Sequence, residues 1–207
     1  TGPYITYTPM DSTSCLAGRT FSPVIITEAG NVNTSSGTRP RLYYKKSGNA
    51  NTFNDNTNAT DGWKYVEASG VGGSPFGFNI NYPLLFGGSP AINDVIQYFV
   101  VAQDLAATPN ISINSGLFAV SPLSVALTAT AFPVTGTLYS YKIIPAGLSG
   151  TVTIGSAGNY TSITGAGGLF SVINSGGLSE NLVANIIDAG ISETGTVVLN
   201  PVNYNGC

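Results

Sequence analysis

Val95-Ile96-Gln97-Tyr98-Phe99-Val100-Val101-Ala102 is nearly unbroken in apolar, β-branched and aromatic residues. A run of this kind predicts a strand in the middle of a sheet covered on both faces. Upstream, Phe76-Gly77-Phe78-Asn79-Ile80-Asn81-Tyr82 alternates, with Phe76, Phe78, Ile80 and Tyr82 on one face and Asn79 and Asn81 on the other. That is the signature of a half-buried strand. Further short runs, Tyr4 to Thr8, Phe21 to Thr27, Arg41 to Lys45, Trp63 to Ala68 and Asn110 to Asn114, are separated by Gly, Pro, Asn and Ser clusters. Seven short strands punctuated in this way predict an antiparallel β-sandwich.

The composition agrees. Of 207 residues, 26 are Gly, 19 Asn, 21 Ser and 22 Thr, all residues that favour turns or extended chain, while 43% are hydrophobic, ample for a core. Seven basic and ten acidic residues leave no cationic surface for nucleic acid. Histidine is absent, which removes the commonest general base and metal ligand. No apolar run approaches a membrane span in length. The start at Thr1 reads as a mature or excised piece, and the low lysine count with Asn- and Thr-rich loops as an extracellular or cell-surface protein.

From Ser121 the aromatic alternation stops, and Phe132-Pro133-Val134-Thr135-Gly136 reads as a seam between a sandwich over 1–133 and a small β-rich domain over 134–207. In the tail, Tyr141 to Ile144, Thr151 to Ile154, Asn181 to Ile187 and Thr196 to Leu199 read as strands. Ile163, Ala166, Leu169, Phe170 and Ile173 have helical spacing, predicting one short helix ended by Asn174 to Gly177. The expected fold class is therefore all-β: an immunoglobulin-like antiparallel sandwich followed by a small β-rich domain with one short helix.

Arg41-Leu42-Tyr43-Tyr44-Lys45-Lys46, Gly62-Trp63-Lys64-Tyr65-Val66 and the strand from Val95 to Asp104, in this order, resemble an immunoglobulin-like or fibronectin-type repeat of large secreted cell-surface proteins of Bacteroidota-type bacteria. The antibody-type Cys-Trp-Cys core is missing, so the resemblance implies no immune role. The tail, from Gly150 through Ile163 into the helix and a strand pair, resembles the cap at the opening end of a right-handed parallel β-helix, where a helix plugs a bare apolar cross-section.

Few residues carry candidate chemistry. Asn54-Asp55-Asn56-Thr57-Asn58 with Asp61 gathers oxygen ligands suited to structural calcium, with Asp55 and Asp61 as the charged pair. It is not an EF-hand, because the sixth residue from Asn54 or Asp55 is Ala59 or Thr60. Asp94 and Asp104, flanking the central strand, read either as cation ligands or as turn caps. Trp63, after Asp61-Gly62 at a strand entrance, and Tyr65 form a candidate aromatic platform for a sugar ring. Lys45 and Lys46 read as solvated. Gly165-Ala166-Gly167-Gly168-Leu169-Phe170 lacks the third glycine and the preceding buried strand of a dinucleotide fingerprint. Cys15 and Cys207 allow one bridge at most, within or between chains, or remain free. The chain thus reads as non-enzymatic, a spacer and contact surface of a bacterial surface adhesin or filament, with other copies, neighbouring domains or glycans as partners. The alternative is a carbohydrate-binding accessory segment of a polysaccharide-degrading enzyme.

Overall fold

In the computed structural model, which describes residues 2–70 and 72–202, the stretch from Val95 becomes the central strand of the larger sheet. Ten strands form: β1 Tyr4–Thr6, β2 Gly18–Thr27, β3 Arg41–Lys46, β4 Lys64–Glu67, β5 Phe76–Asn81, β6 Val95–Gln103, β7 Ile111–Ile113, β8 Tyr139–Lys142, β9 Leu148–Ile154 and β10 Leu178–Ile186. The one α-helix among the described residues, α1, spans Leu169–Gly176. The chain divides into two compact units, the first made of residues up to Ser12 and Leu16–Ile143, the second of Thr13–Cys15 and Ile144 onward.

The first unit contains two antiparallel sheets, β1-β2-β5 and β4-β3-β6. The far edge of β6 is shared, β8 pairing with Val95 to Tyr98 and β7 with Val101 to Gln103. Between Phe21 and Val24 the β2–β5 register shifts, at Pro23, which has no N–H to give to the ladder. In β5, Phe76, Phe78 and Ile80 are buried while Asn79 and Asn81 are exposed, as the alternation requires.

One face of the larger sheet meets the smaller one. The Tyr98 ring lies 5.7 Å from Phe21, and the Tyr44 hydroxyl donates to the Asn81 carbonyl at 2.7 Å. The opposite face is also covered, by a strap running from Gly116 to Leu138. Tyr43, Phe99 and Val101 of the sheet pack there with Trp63 against Val125, Leu127, Ala131, Phe132 and Val134 of the strap. Three side chains pin it. The Tyr43 hydroxyl donates to the Val125 carbonyl (2.8 Å) and accepts from the Leu127 amide (3.0 Å). Gln103 Oε1 accepts from the Val125 amide, and Asn51 holds both the amide and the carbonyl of Val134. At its base Leu117 and Thr135 exchange amide–carbonyl bonds. Gly116 is required there, since its φ is +84° and a Cβ would strike Val134 and Leu138. With both faces covered, Ile96, Tyr98, Phe99, Val100, Val101 and Ala102 are all inaccessible to solvent.

The seam expected near residue 133 is therefore internal to the first unit. Phe132 and Val134 are buried against the sheet, and Tyr141 pairs with Ile96, so this unit runs to Ile143.

In the second unit β9 and β10 are parallel, with Leu182 opposite Gly150 and Ile186 opposite Ile154, and α1 forms the crossover between them. Val152 and Ile154 pack under Leu169 and Ile173. At its C-terminal end the far edge of β9 is met by Tyr160, whose amide donates to the Thr153 carbonyl and whose carbonyl accepts from the Gly155 amide. The helix begins at Leu169, six residues after Ile163 where the helical spacing starts, because Glu193 captures the backbone before it. Its carboxylate accepts from the Ile163 and Thr164 amides and from the Ser162 and Thr164 hydroxyls. Thr196 to Leu199, expected as a strand, lies outside the strands and is held instead by the Val197 amide donating to the Thr164 carbonyl and by the Asn174 side chain donating to the Val198 carbonyl.

Candidate functional site

The expected sugar platform is absent from the surface. Trp63 is fully buried, its ring edge-on to Phe99 at 4.8 Å and its indole N–H donating to Asn51 Oδ1 at 2.8 Å. A chain end that looked like an exposed strand entrance is covered by the strap, which has no periodicity to announce it. Tyr65 is half-buried, with the Arg41 guanidinium 4.0 Å from its ring centre. Arg41 in turn pairs with Glu67 at 3.0 Å. Both aromatic residues act as packing groups.

The calcium candidate contains a cation of the protein's own. Lys64, with no exposed surface, donates from Nζ to the Asp55 carbonyl (3.0 Å) and Thr60 Oγ1 (3.1 Å), and lies 3.8 Å from the Asp55 carboxylate. Asp55 accepts from Thr57 and Thr60, which hold its carboxyl below the usual range. Asp61 accepts from the Ala50 and Gly62 amides. The two carboxylates thus cap different turns, and both lie close enough to Lys64 to favour its charge. Among the described residues no three His, Cys, Asp or Glu side chains come together as a metal site would require.

Lys45, expected in solvent, is buried as well. Its ammonium donates to the carbonyls of Lys46, Ser47 and Asn49 and sits 5.4 Å from the Trp63 ring centre. Burial lowers the pKa of both Lys45 and Lys64. Asp94 and Asp104 are turn caps. Asp94 accepts from the Ala91 amide, while Asp104 accepts from the Ala106 and Asn110 amides and the Asn110 side chain. Cys15 is buried and disulfide-bonded. Cys207 lies outside the described residues.

What the sequence did not single out is a cleft of about 470 Å³ at one end of the sandwich. Its walls come from the β2–β3 connection (Glu28, Asn31, Val32, Thr34), the β4–β5 connection (Gly72 to Ser74) and Leu105 just after β6. The loops are tied to the frame. The Ser74 hydroxyl accepts from the Ile26 amide, the Asn33 amide donates to the Gln103 carbonyl, and Asp104 fixes the turn that presents Leu105. Asn31 takes a left-handed φ of 67° and closes its turn onto the Glu28 carbonyl. The cleft offers the Glu28 carboxylate, the Thr27, Thr34 and Ser74 hydroxyls and the Asn31 amide beside the exposed Leu105, groups able to hydrogen-bond a polar ligand. No sequence signal marks it, because its walls come from three loops 30 or more residues apart. Comparison with protein-family models, with curated proteins and with solved structures found no match to this chain.

Proposed function

We propose that the chain is a non-catalytic structural and adhesive segment of a bacterial extracellular surface or filament protein, a stiff spacer that makes contact through its loops and with copies of itself. The observation that carries this reading is where the ionisable side chains are spent. Lys45, Asp104 and Glu193 each brace backbone groups with two or more hydrogen bonds, and Lys64 holds one backbone carbonyl and one hydroxyl of its loop. Such bracing stiffens loops, and stiff loops on a sheet covered on both faces make a rigid mount for the cleft. The second reading, a carbohydrate-binding accessory segment, draws on the cleft itself, since Glu28, Asn31, Thr27 and Thr34 match the hydrogen-bonding needs of sugar hydroxyls.

The test is binding of the purified chain to arrayed glycans and to bacterial and host cell surfaces, with Leu105→Asp as the cleft variant. Leu105 is 56% exposed, so the variant should keep its thermal midpoint while losing at least about tenfold in surface binding. Binding confined to defined glycans selects the accessory reading. Turnover of a polysaccharide by the purified chain overturns both.

A further inference from the structure

We infer that β10 is the surface through which a second copy of this chain docks, by antiparallel pairing of the two β10 strands about a two-fold axis. The inference starts from an imbalance in the second unit. Parallel sheets are normally covered on both faces, and two strands alone make a marginal sheet. The outer edge of β9 is met at its C-terminal end by Tyr160, whereas the outer edge of β10 has no strand partner among the described residues. Side chains repeat the pattern. Val152 and Ile154 are buried, yet their register partners Ala184 and Ile186 are exposed, Ile186 by 53%. On the other face Val183 is 53% exposed, and Ile187 beyond it 48%. Unpaired backbone and uncovered apolar side chains thus coincide on one strand.

Elsewhere this chain blocks such an edge. Along β4 the Asn56 side chain accepts from the Tyr65 amide (2.8 Å) and donates to the Tyr65 carbonyl (3.1 Å), occupying the place of a neighbouring strand. Among the described residues β10 has no comparable block, and its sequence Leu-Ser-Glu-Asn-Leu-Val-Ala-Asn-Ile contains no Lys, Arg or Pro.

Charge and size select the occupant and its register. With the axis at Val183, Leu182 faces Ala184 of the second copy, large against small, Asn181 faces Asn185, and Glu180 faces Ile186. The two Glu180 carboxylates then lie about 20 Å apart along the strands, beyond the screening length of roughly 8–10 Å at ordinary salt. Moving the axis to Ala184 would set Glu180 opposite Asp188, two like charges. A contact made by a single strand edge is smaller than the roughly 800 Å² per partner of a tight complex, so the dimer is weak and forms at high local concentration. This deepens the self-contact part of the proposed function. The dimer assay reads β10 and the surface-binding assay reads the loop cleft, so either can fail without the other.

The experiment is sedimentation equilibrium of the full chain from about 5 μM to about 1 mM. The apparent mass should climb from 21.2 kDa towards twice that value. Val183→Lys, which brings two ammonium groups together at the axis, should weaken the dimer at least tenfold with circular dichroism and thermal midpoint unchanged. Val183→Cys should give a disulfide-linked dimer on non-reducing gels, and Ile187→Cys, far from its own mate, should not. A monomer over the whole range, a dimer indifferent to Val183→Lys, polymers that lengthen with concentration, or equal cross-linking by Ile187→Cys would each overturn the inference.

Discussion

Raising the pH should unfold this protein abruptly, through its tyrosines. Burial raises the pKa of Tyr7, Tyr43, Tyr44, Tyr82, Tyr98 and Tyr141. Their hydroxyls are committed inside the first unit. Tyr82 and Tyr141 bond to each other at 2.8 Å, Tyr44 donates to the Asn81 carbonyl, and Tyr98 accepts from the Met10 amide. In the unfolded chain a tyrosine ionises near pH 10, whereas in the folded one burial holds the proton on beyond that, so the unfolded state binds fewer protons and stability falls as pH rises above about 10. At pH 11 Tyr7, Tyr44 and Tyr141, whose values are raised furthest, each contribute a loss of about 1.4 kcal/mol, about 4 kcal/mol together and a large fraction of the stability of a domain, and Tyr43, Tyr82 and Tyr98 act in the same direction. Lys45 and Lys64 act in the opposite sense. Their lowered values make stability rise with pH, but only up to about pH 10.4, where an unfolded lysine also loses its proton. Phenolate absorbance and near-ultraviolet circular dichroism, followed together, should change in one cooperative step between about pH 10.5 and 11.5. Tyr141→Phe should make that step shallower by one proton. Phenolate absorbance rising near pH 10 while the circular dichroism stays folded would refute the reasoning, because the hydroxyls would then be ionising in place.

Four other outcomes follow from single side chains. Asn51→Ala leaves the Trp63 indole N–H and both polar groups of Val134 unpartnered and should cost about 3 kcal/mol in urea unfolding; Asn51→Asp, which keeps the shared acceptor, should cost less. Asn56→Ala uncovers the β4 edge and should cost about 1 kcal/mol while increasing light scattering on prolonged incubation. Glu193, held at a pKa of about 2 by the backbone and hydroxyl donors around it, stabilises its turn above the ordinary carboxylate range and loses that effect as pH falls from about 4.5 towards 2. Hydrogen exchange at the Ile163 and Thr164 amides should accelerate over that window, and Glu193→Gln should exchange fast at neutral pH as well. Because Lys64 already supplies the charge between Asp55 and Thr60, calcium added after chelation should move the thermal midpoint by less than about 1 °C. A rise of several degrees would show the ion displacing the lysine.

The sandwich was legible because periodicity reports burial directly, and β5 and β6 carry it without interruption. The same reading misplaced β8, since Tyr141-Lys142-Ile143-Ile144 is apolar without naming its partner, and its true neighbour is Ile96, 45 positions earlier. Trp63 failed for a related reason. Its cover is an aperiodic strap, and the acceptor for its N–H, Asn51, sits in the polar connection between β3 and β4, where no pattern marks it as a partner. Buried lysines were invisible because Lys45 is satisfied mainly by backbone carbonyls, which every sequence possesses. The cleft was hidden by topology, which gathers three loops that the chain keeps far apart.

The strap also sets a schedule for the growing chain. Tyr43 waits for Val125 and Leu127, and Asn51 for Val134, each more than 80 residues further on. Until those residues emerge, Tyr43, Trp63 and Phe99 present an uncovered aromatic surface on a sheet whose strands are already available to pair. Contacts of such long range are slow to form, and the interval is one in which a chaperone or secretion partner would have most to shield. The segment with the least regular structure in the first unit is thus the one whose arrival ends its exposure to aggregation.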